Sequence, residues 1–281
     1  MRIGLLSLLL VGAAAAFADF TPDWNKPIPP FRIAGNLYYV GTNYLASYLI
    51  TTKAGDILIN PDYEESIPVI QHNIETLGFH FSDIKIILIS HAHDDHAAGC
   101  ALAKKQSGAQ LMVMDADVAE IEHGGAGDFQ YVQHWTPVKV DRILHDGSLV
   151  NLGGVTLTAH LTPGHTKGCT TWTIDVKDAG KTLHAVIVGS PNVNTGYKLV
   201  DNKQYPRIAA DYEKCFQVLR ALPCDLFLGA HGVYFGMDEK LTRLKTGGVN
   251  PFIDPDGYRA YVEEREQAFR KELAAQQSHS Q

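Results

Sequence analysis

The chain has 281 residues, with 24 basic against 31 acidic side chains and a formal net charge of -7. Its 45% hydrophobic and 20% charged residues supply ample material for a packed core, which excludes disorder as the main state, and an acidic balance lacks the footprint of a nucleic-acid binder. Four Cys are too sparse for a disulfide-framed mini-protein, whereas 13 His raise the weight of a metal site, neutral imidazole being the commonest metal ligand.

In chain order, Arg2 precedes an apolar run from Ile3 to Ala16, and Ala16-Phe17-Ala18 forms a small-x-small ending. The run falls short of the ~20 residues that a membrane span requires. Residues 1–18 therefore read as a secretory signal peptide cleaved after Ala18, leaving residues 19–281 as a single soluble domain. Export implies an oxidising compartment, where Cys215 and Cys224, near neighbours in sequence, are candidates to pair. Cys100, Cys169, Cys215 and Cys224 read equally well as four buried thiols, and spacing leaves the two open.

Residues 31–59 contain three extended stretches, FRIAGNLYYV, NYLASYLITT and DILIN, broken at Gly and Asp. Residues 64–78 then predict a helix stopped by Gly78, its Ile67, Ile70, Ile74 and Leu77 spaced by three and four. The run IKIILI at 84–89 predicts a strand covered on both faces. A His-rich turn follows, then a helix at AAGCALAKKQ and a strand at QLMVM. Residues 123–139 have no period and many Gly and aromatics, which predicts a loop. Four more strands follow at RILHDGSLVNL, GVTLTAHLT, TTWTIDV and LHAVIVGS. Helices are expected at 207–221, 237–246 and 256–275, with a late strand at DLFLGA. The order is β-rich, α/β, β-rich, α/β. It suits one α/β domain of two similar halves, with helices covering packed sheets.

The turn after IKIILIS reads His91-Ala-His93-Asp94-Asp95-His96. His91 and His93 alternate at the end of an extended segment and point to one side. Asp95 and His96 sit where the chain enters the next helix, so four donors converge where the backbone changes direction. By composition, such a pattern arises by accident in roughly two of a thousand chains. Two further His stand in the same setting: His165, in LTPGHTKG, and His231, in DLFLGAHG, each at a strand end beside Gly. Six donors are too many for one tetrahedral ion and suit two zinc ions sharing a water or hydroxide. The other eight His lack this context, although His123 and His134 lie in the irregular loop and are candidates to approach the site.

HAHDDH, with PGHT and GAHG, resembles the metallo-β-lactamase superfamily, over about residues 30–270. That resemblance implies an αββα sandwich with two zinc ions at the shared edge of its sheets. At the end of LHAVIVGS, many hydrolases of the superfamily place a metal-bridging Asp and one β-lactamase subclass a zinc-binding Cys. Here the residue is Ser190, whose neutral hydroxyl is a poor zinc ligand, and the combination is similar to subclass B3. GSPNVNTGYKLVDNKQYPRIAADYEKC and NPFIDPDGYRAYVEE resemble that subclass too. One departure is Asn60, in the turn where some relatives carry Asp.

The resemblance implies that His91, His93 and His165 hold one zinc, and Asp95, His96 and His231 the other. It implies zinc-dependent hydrolysis of the β-lactam amide bond by a dizinc-bound hydroxide, with Asp95 ligating metal and orienting the nucleophile. Ser190 and Asn192 would hydrogen-bond the substrate carboxylate, with Tyr38 and the Trp135 loop as apolar walls. The expected enzyme is a periplasmic monomer acting on a small molecule, β-lactam, with no nucleic-acid partner and no membrane contact after signal cleavage. The alternatives are a secreted dizinc lactonase or thiolesterase, against which the absence of a bridging Asp at Ser190 argues, and a non-catalytic zinc-binding module.

Overall fold

A computed structural model of the chain describes residues 24–131 and 133–279, and the expected signal segment lies outside them. The first extended stretch folds back on itself, as β1 (Phe31–Ala34) and β2 (Leu37–Tyr39) pair antiparallel across a turn at Gly35. β3 (Tyr48–Thr52) and β4 (Gly55–Ile59) extend this meander. Three parallel strands follow, each reached by a crossover: β5 (Ile84–Leu88), β6 (Gln110–Met114) and β7 (Arg142–Leu144). Parallel pairing demands such long connections, and helices α1 (Ile67–Thr76), α2 (Asp94–Ala97), α3 (Cys100–Ser107) and α4 (Val118–Glu122) lie within them. The result is a seven-stranded sheet in sequence order.

The second half repeats the plan. β8 (Leu149–Leu152), β9 (Val155–Leu161), β10 (Thr170–Asp178) and β11 (Lys181–Val188) form an antiparallel meander. α5 (Ile208–Ala221) then crosses over to β12 (Leu226–Gly229), which pairs parallel with β11. α6 (Met237–Thr246) and α7 (Pro255–His279) complete the chain. The five-stranded sheet runs β12-β11-β10-β9-β8.

Period-two alternation sorts the first sheet between two cores. Tyr48, Ile50, Ile57, Ile59, Ile86, Leu88, Met112 and Met114 face the second sheet. Their neighbours Leu49, Leu58, Ile87, Leu111 and Val113 pack outward on Ile67, Ile70 and Ile74 of α1 and on Cys100 and Ala103 of α3. Each fully buried Leu or Ile is worth roughly 1.5–3 kcal/mol, and with both faces covered these strands gain it on either side. The second sheet is backed by Tyr212, Phe216 and Leu219 of α5 and by Tyr258, Val262 and Phe269 of α7. Helices therefore cover both outer faces of two packed sheets, the αββα sandwich.

All four cysteines are free thiols, so the pairing considered for Cys215 and Cys224 is not made. Cys215 is spent on the core beneath α5, where it packs as a small apolar group. No helix among the described residues is long and apolar enough to cross a membrane.

Candidate metal centre

The parallel registers of β4, β5 and β6 bring their C-terminal ends to one edge of the first sheet. In the second sheet, β9, β11 and β12 run the same way and end together. The two edges are stitched at the site itself. Thr170 N donates to Ser90 O at 2.7 Å, Trp172 Nε1 to Ile89 O at 3.0 Å, and Ala46 N to Ala230 O at 3.0 Å. Strand ends of both sheets thus open on one crevice, the usual place for a site in an α/β fold.

Three loops deliver the donors. After β5, His93 is extended at φ -111°, ψ 157° and heads α2, which places Asp95 and His96 on the first helical turn. The loop after β9 carries His165 and that after β12 carries His231. The donor atoms of His91, His93 and His165 lie within 4.8 Å of one another, as do those of His91, Asp95 and His96. His231 Nε2 is 3.1 Å from His96 Nε2 and 3.5 Å from Asp95 Oδ2. All six expected donors therefore meet in one volume, and all are buried.

Gly164 is needed beside His165 because its φ of +129° suits glycine and a Cβ there would stand 2.6 Å from the Tyr212 ring. The loops are also tied by carboxylates that the sequence did not single out. Asp117, just beyond β6, accepts from Ala92 N at 3.0 Å, Thr166 Oγ1 at 2.8 Å and Gly168 N at 2.7 Å. It joins the His91–His96 turn to the His165 loop. Asp128 Oδ2 lies 3.5 Å from His93 Nε2, and Asp62 Oδ1 lies 3.9 Å from His96 Nδ1. Asp62 also accepts from Ser47 Oγ at 2.6 Å. The turn after β4 thus does hold a buried carboxylate, two residues beyond Asn60. Asn60 itself is structural, accepting from Ser90 N at 2.7 Å and donating to Ala46 O.

These contacts orient the rings. His165 Nδ1 donates to Asn192 O at 2.8 Å, leaving Nε2 for the crevice. His93 turns Nε2 toward Asp128, leaving Nδ1. Burial and neighbouring imidazoles hold His91 and His165 well below the usual His range. Burial pushes His96 and His231 down to about 3, the nearby imidazoles adding to it. His93 differs: burial lowers it, but Asp128 and Asp95 carry it above its ordinary value. At neutral pH most of these rings are neutral bases; His96 Nε2 and His231 Nε2 stand 3.1 Å apart, and the Nδ1 atoms of both lack a hydrogen-bond partner among the described residues. A cation relieves that arrangement, and five imidazoles with one carboxylate suit zinc better than calcium or magnesium.

A cleft of about 450 Å³ opens over the donors, lined by Trp24, Tyr44, Tyr131, Gln133, Asn192 and Tyr234 beside His93, Asp95, His165 and His231. Asn192 lines it. Ser190 does not; it is 1% exposed, and its Oγ lies 3.1 Å from the Tyr234 hydroxyl. Tyr38 requires a correction. Alternation along β2 sends Tyr39 to the inter-sheet core and Tyr38 to the opposite face, where it packs on Phe79, 5.1 Å between centroids, on the α1 side. Trp135 likewise seats on Gly124 and Gly125 rather than over the cleft, although its loop contributes Tyr131 and Gln133. His123 and His134 are exposed and line no part of the cleft. The aromatic wall is instead Trp24 stacked on Tyr44, with centroids 4.6 Å apart, both beside His231. No period in the sequence marks these positions, because each comes from a loop.

A sequence profile described as the metallo-β-lactamase superfamily matches residues 41–178. The native FEZ-1 metallo-β-lactamase from Legionella gormanii is 55% identical, covering 90% of this chain and 98% of its own, with a TM-score of 0.89. BJP-1, a subclass B3 metallo-β-lactamase of Bradyrhizobium japonicum, is 39% identical over 92% of this chain and 99% of its own, with a TM-score of 0.86. The class B3 di-zinc metallo-β-lactamase LRA-12, from an Alaskan soil metagenome, is 36% identical over 90% and 97%, also with a TM-score of 0.86. With such identity sustained across nearly the whole length of these proteins, the chain belongs to the metallo-β-lactamase superfamily and is most like its subclass B3 members.

Proposed function

We propose that the chain is a zinc-dependent β-lactamase that hydrolyses the β-lactam amide bond. The observation that carries this is the convergence of six donors beneath an open cleft, in a chain 55% identical to a metallo-β-lactamase. His91, His93 and His165 would hold one ion; Asp95, His96 and His231 the other. Ser190 offers neither carboxylate nor thiolate, so His96 completes the second set.

When bound, a zinc pair supplies Lewis-acid polarisation of a carbonyl and brings the pKa of water near neutrality. The chain's residues do the rest. Hydrolysis adds hydroxyl to the carbonyl carbon and a proton to the ring nitrogen as the C–N bond breaks. Asp95, the one carboxylate of the six donors, orients the attacking water from the floor of the cleft. Asp117, Asp128 and Asp62 keep the ligating loops and rings in place, so little reorganisation is needed on substrate binding. Trp24, Tyr44 and Tyr131 cover apolar parts of the substrate, and the Asn192 amide, whose Oδ1 has no hydrogen-bond partner among the described residues, offers polar contact. No side chain forms an acyl intermediate. Residues 1–18 would direct export to the periplasm, where residues 19–281 act as a single-domain monomer.

The test is hydrolysis of a penicillin, a cephalosporin and a carbapenem by purified protein, with metal content measured in parallel. The expected result is turnover with two zinc ions per chain, abolished by EDTA and restored by zinc. Intact β-lactams in the presence of zinc would refute the proposal, and cleavage of lactones or thiolesters alone would assign the rival chemistry.

A further inference from the structure

Between the cleft and a neighbouring pocket of about 590 Å³ stands one side chain that nothing above employs. Tyr234 lies on the short 3-10 turn Gly232–Phe235 directly after His231, and its backbone N donates to His231 O at 3.0 Å. Its ring meets His231 edge-on, 5.0 Å between centroids, and stacks on Tyr261 at 5.3 Å. Gly229 makes room for it, since a Cβ there would press on the Tyr234 ring at 3.0 Å. The ring is thus held on three sides beside the metal ligands, and its hydroxyl is the group that meets Ser190 Oγ at 3.1 Å.

Ser190 is fixed from behind. Its N donates to Cys169 Sγ at 3.2 Å, its O accepts from that thiol at 3.5 Å, and it is sealed from solvent. Tyr234 lines the cleft and Ser190 does not. Resting on the β-lactamase function proposed above, we infer that the Tyr234 hydroxyl, not that of Ser190, donates to the substrate carboxylate, and that Ser190 is a positioning residue acting through Tyr234. With Ser190 as the donor to Tyr234 Oη, the phenolic proton is free for the carboxylate. A phenol both accepts and donates, so Tyr234 can take a hydrogen bond from Ser190 and still offer its own O–H. Charge-assisted donation of this kind selects substrates that carry a carboxylate beside the ring nitrogen.

The experiment compares a cephalosporin with its carboxylate methyl ester on the zinc-loaded wild type, Tyr234→Phe, Ser190→Ala and the double variant. Tyr234→Phe retains the ring and its stacking and removes only the donor. The expected result is a KM for the acid raised about 10-fold by Tyr234→Phe, with kcat changed less than twofold. The preference for acid over ester in kcat/KM should fall by the same factor, with zinc content unaltered. Ser190→Ala should raise KM about threefold alone and have no further effect in the Tyr234→Phe background. An acid-to-ester preference unchanged in Tyr234→Phe overturns the inference, as does a Ser190→Ala effect of equal size in both backgrounds, which would return the contact to Ser190. Should Tyr234→Phe lose zinc, Ser190→Ala decides alone: unchanged KM on the acid overturns the inference. A wild-type enzyme that leaves every β-lactam intact refutes the function itself, a result distinct from turnover insensitive to these changes.

Discussion

Replacing Asp117 by Asn tests whether the metal centre depends on a carboxylate that ligates nothing. Asp117 accepts two hydrogen bonds on Oδ2, from Ala92 N and Thr166 Oγ1, and one on Oδ1, from Gly168 N. An Asn side chain keeps one carbonyl oxygen, best placed for Ala92 and Thr166, and turns its NH₂ toward the Gly168 N–H. One buried backbone donor then faces another donor, at a cost of roughly 1–3 kcal/mol. Removing a buried charge offsets part of this, since burial already holds the Asp117 carboxyl above its ordinary value. The net destabilisation should be about 1 kcal/mol, or roughly 2–4 °C in melting temperature for a domain of this size. Ala92 sits between His91 and His93, and Gly168 lies three residues beyond His165, so the loss loosens both halves of the first ligand set. Zinc affinity should drop about 10-fold, the low end for residues that support metal ligands. Calorimetric melting and competition with a chromogenic zinc chelator measure the two effects. A melting temperature within 1 °C of wild type, together with zinc affinity within twofold, would refute the reasoning.

Two further outcomes follow from the same geometry. His96→Ala removes the nitrogen facing both His231 Nε2 and Asp95 Oδ2, and should lower bound zinc by about one ion per chain, as read by elemental analysis of the purified protein. Retention of both ions would show that another donor, such as Ser190, completes the second set. Far from the site, Asp56 is 4% exposed at the β3–β4 turn, and its pKa is raised to about 6, chiefly by burial. The folded pKa exceeds the unfolded one, so the protonated group favours the folded state below about pH 4, and that stability is lost as pH rises through 6. Asp56→Asn should therefore match wild type near pH 4 and be about 1–2 kcal/mol more stable at pH 7.5 in urea titrations, discounting the full shift for residual solvation. A difference independent of pH would contradict that account.

How much was legible in the sequence follows from the range of each signal. Strand and helix patterns are local, and IKIILI, QLMVM and the Ile67–Ile70–Ile74 stripe became β5, β6 and α1. FRIAGNLYYV read as one stretch and folded as two, because a hairpin at Gly35 costs little and pairs both arms. The HAHDDH cluster was visible because four donors occupy six consecutive residues. His165 and His231 stood out by sharing its setting, a strand end beside Gly. Asp62, Asp117 and Asp128 carried no such mark. An isolated Asp in a turn looks alike whether it faces solvent or braces a ligand.

By itself the sequence determined most of the elements and the donor types, since periodicity and ligand chemistry are properties of neighbouring residues, while the αββα plan came from the resemblance to the metallo-β-lactamase superfamily. Tertiary structure alone decided which side of β2 faces the core, and so removed Tyr38 from the cleft in favour of Trp24, Tyr44 and Tyr131. It also decided that Ser190 is sealed behind Tyr234, 44 residues further along the chain. The physical reason is the same in both cases. Exposure is set by what packs on top of a residue, and the covering group is distant in sequence: Phe79, from beyond α1, covers Tyr38, and Tyr234, from the turn after β12, covers Ser190.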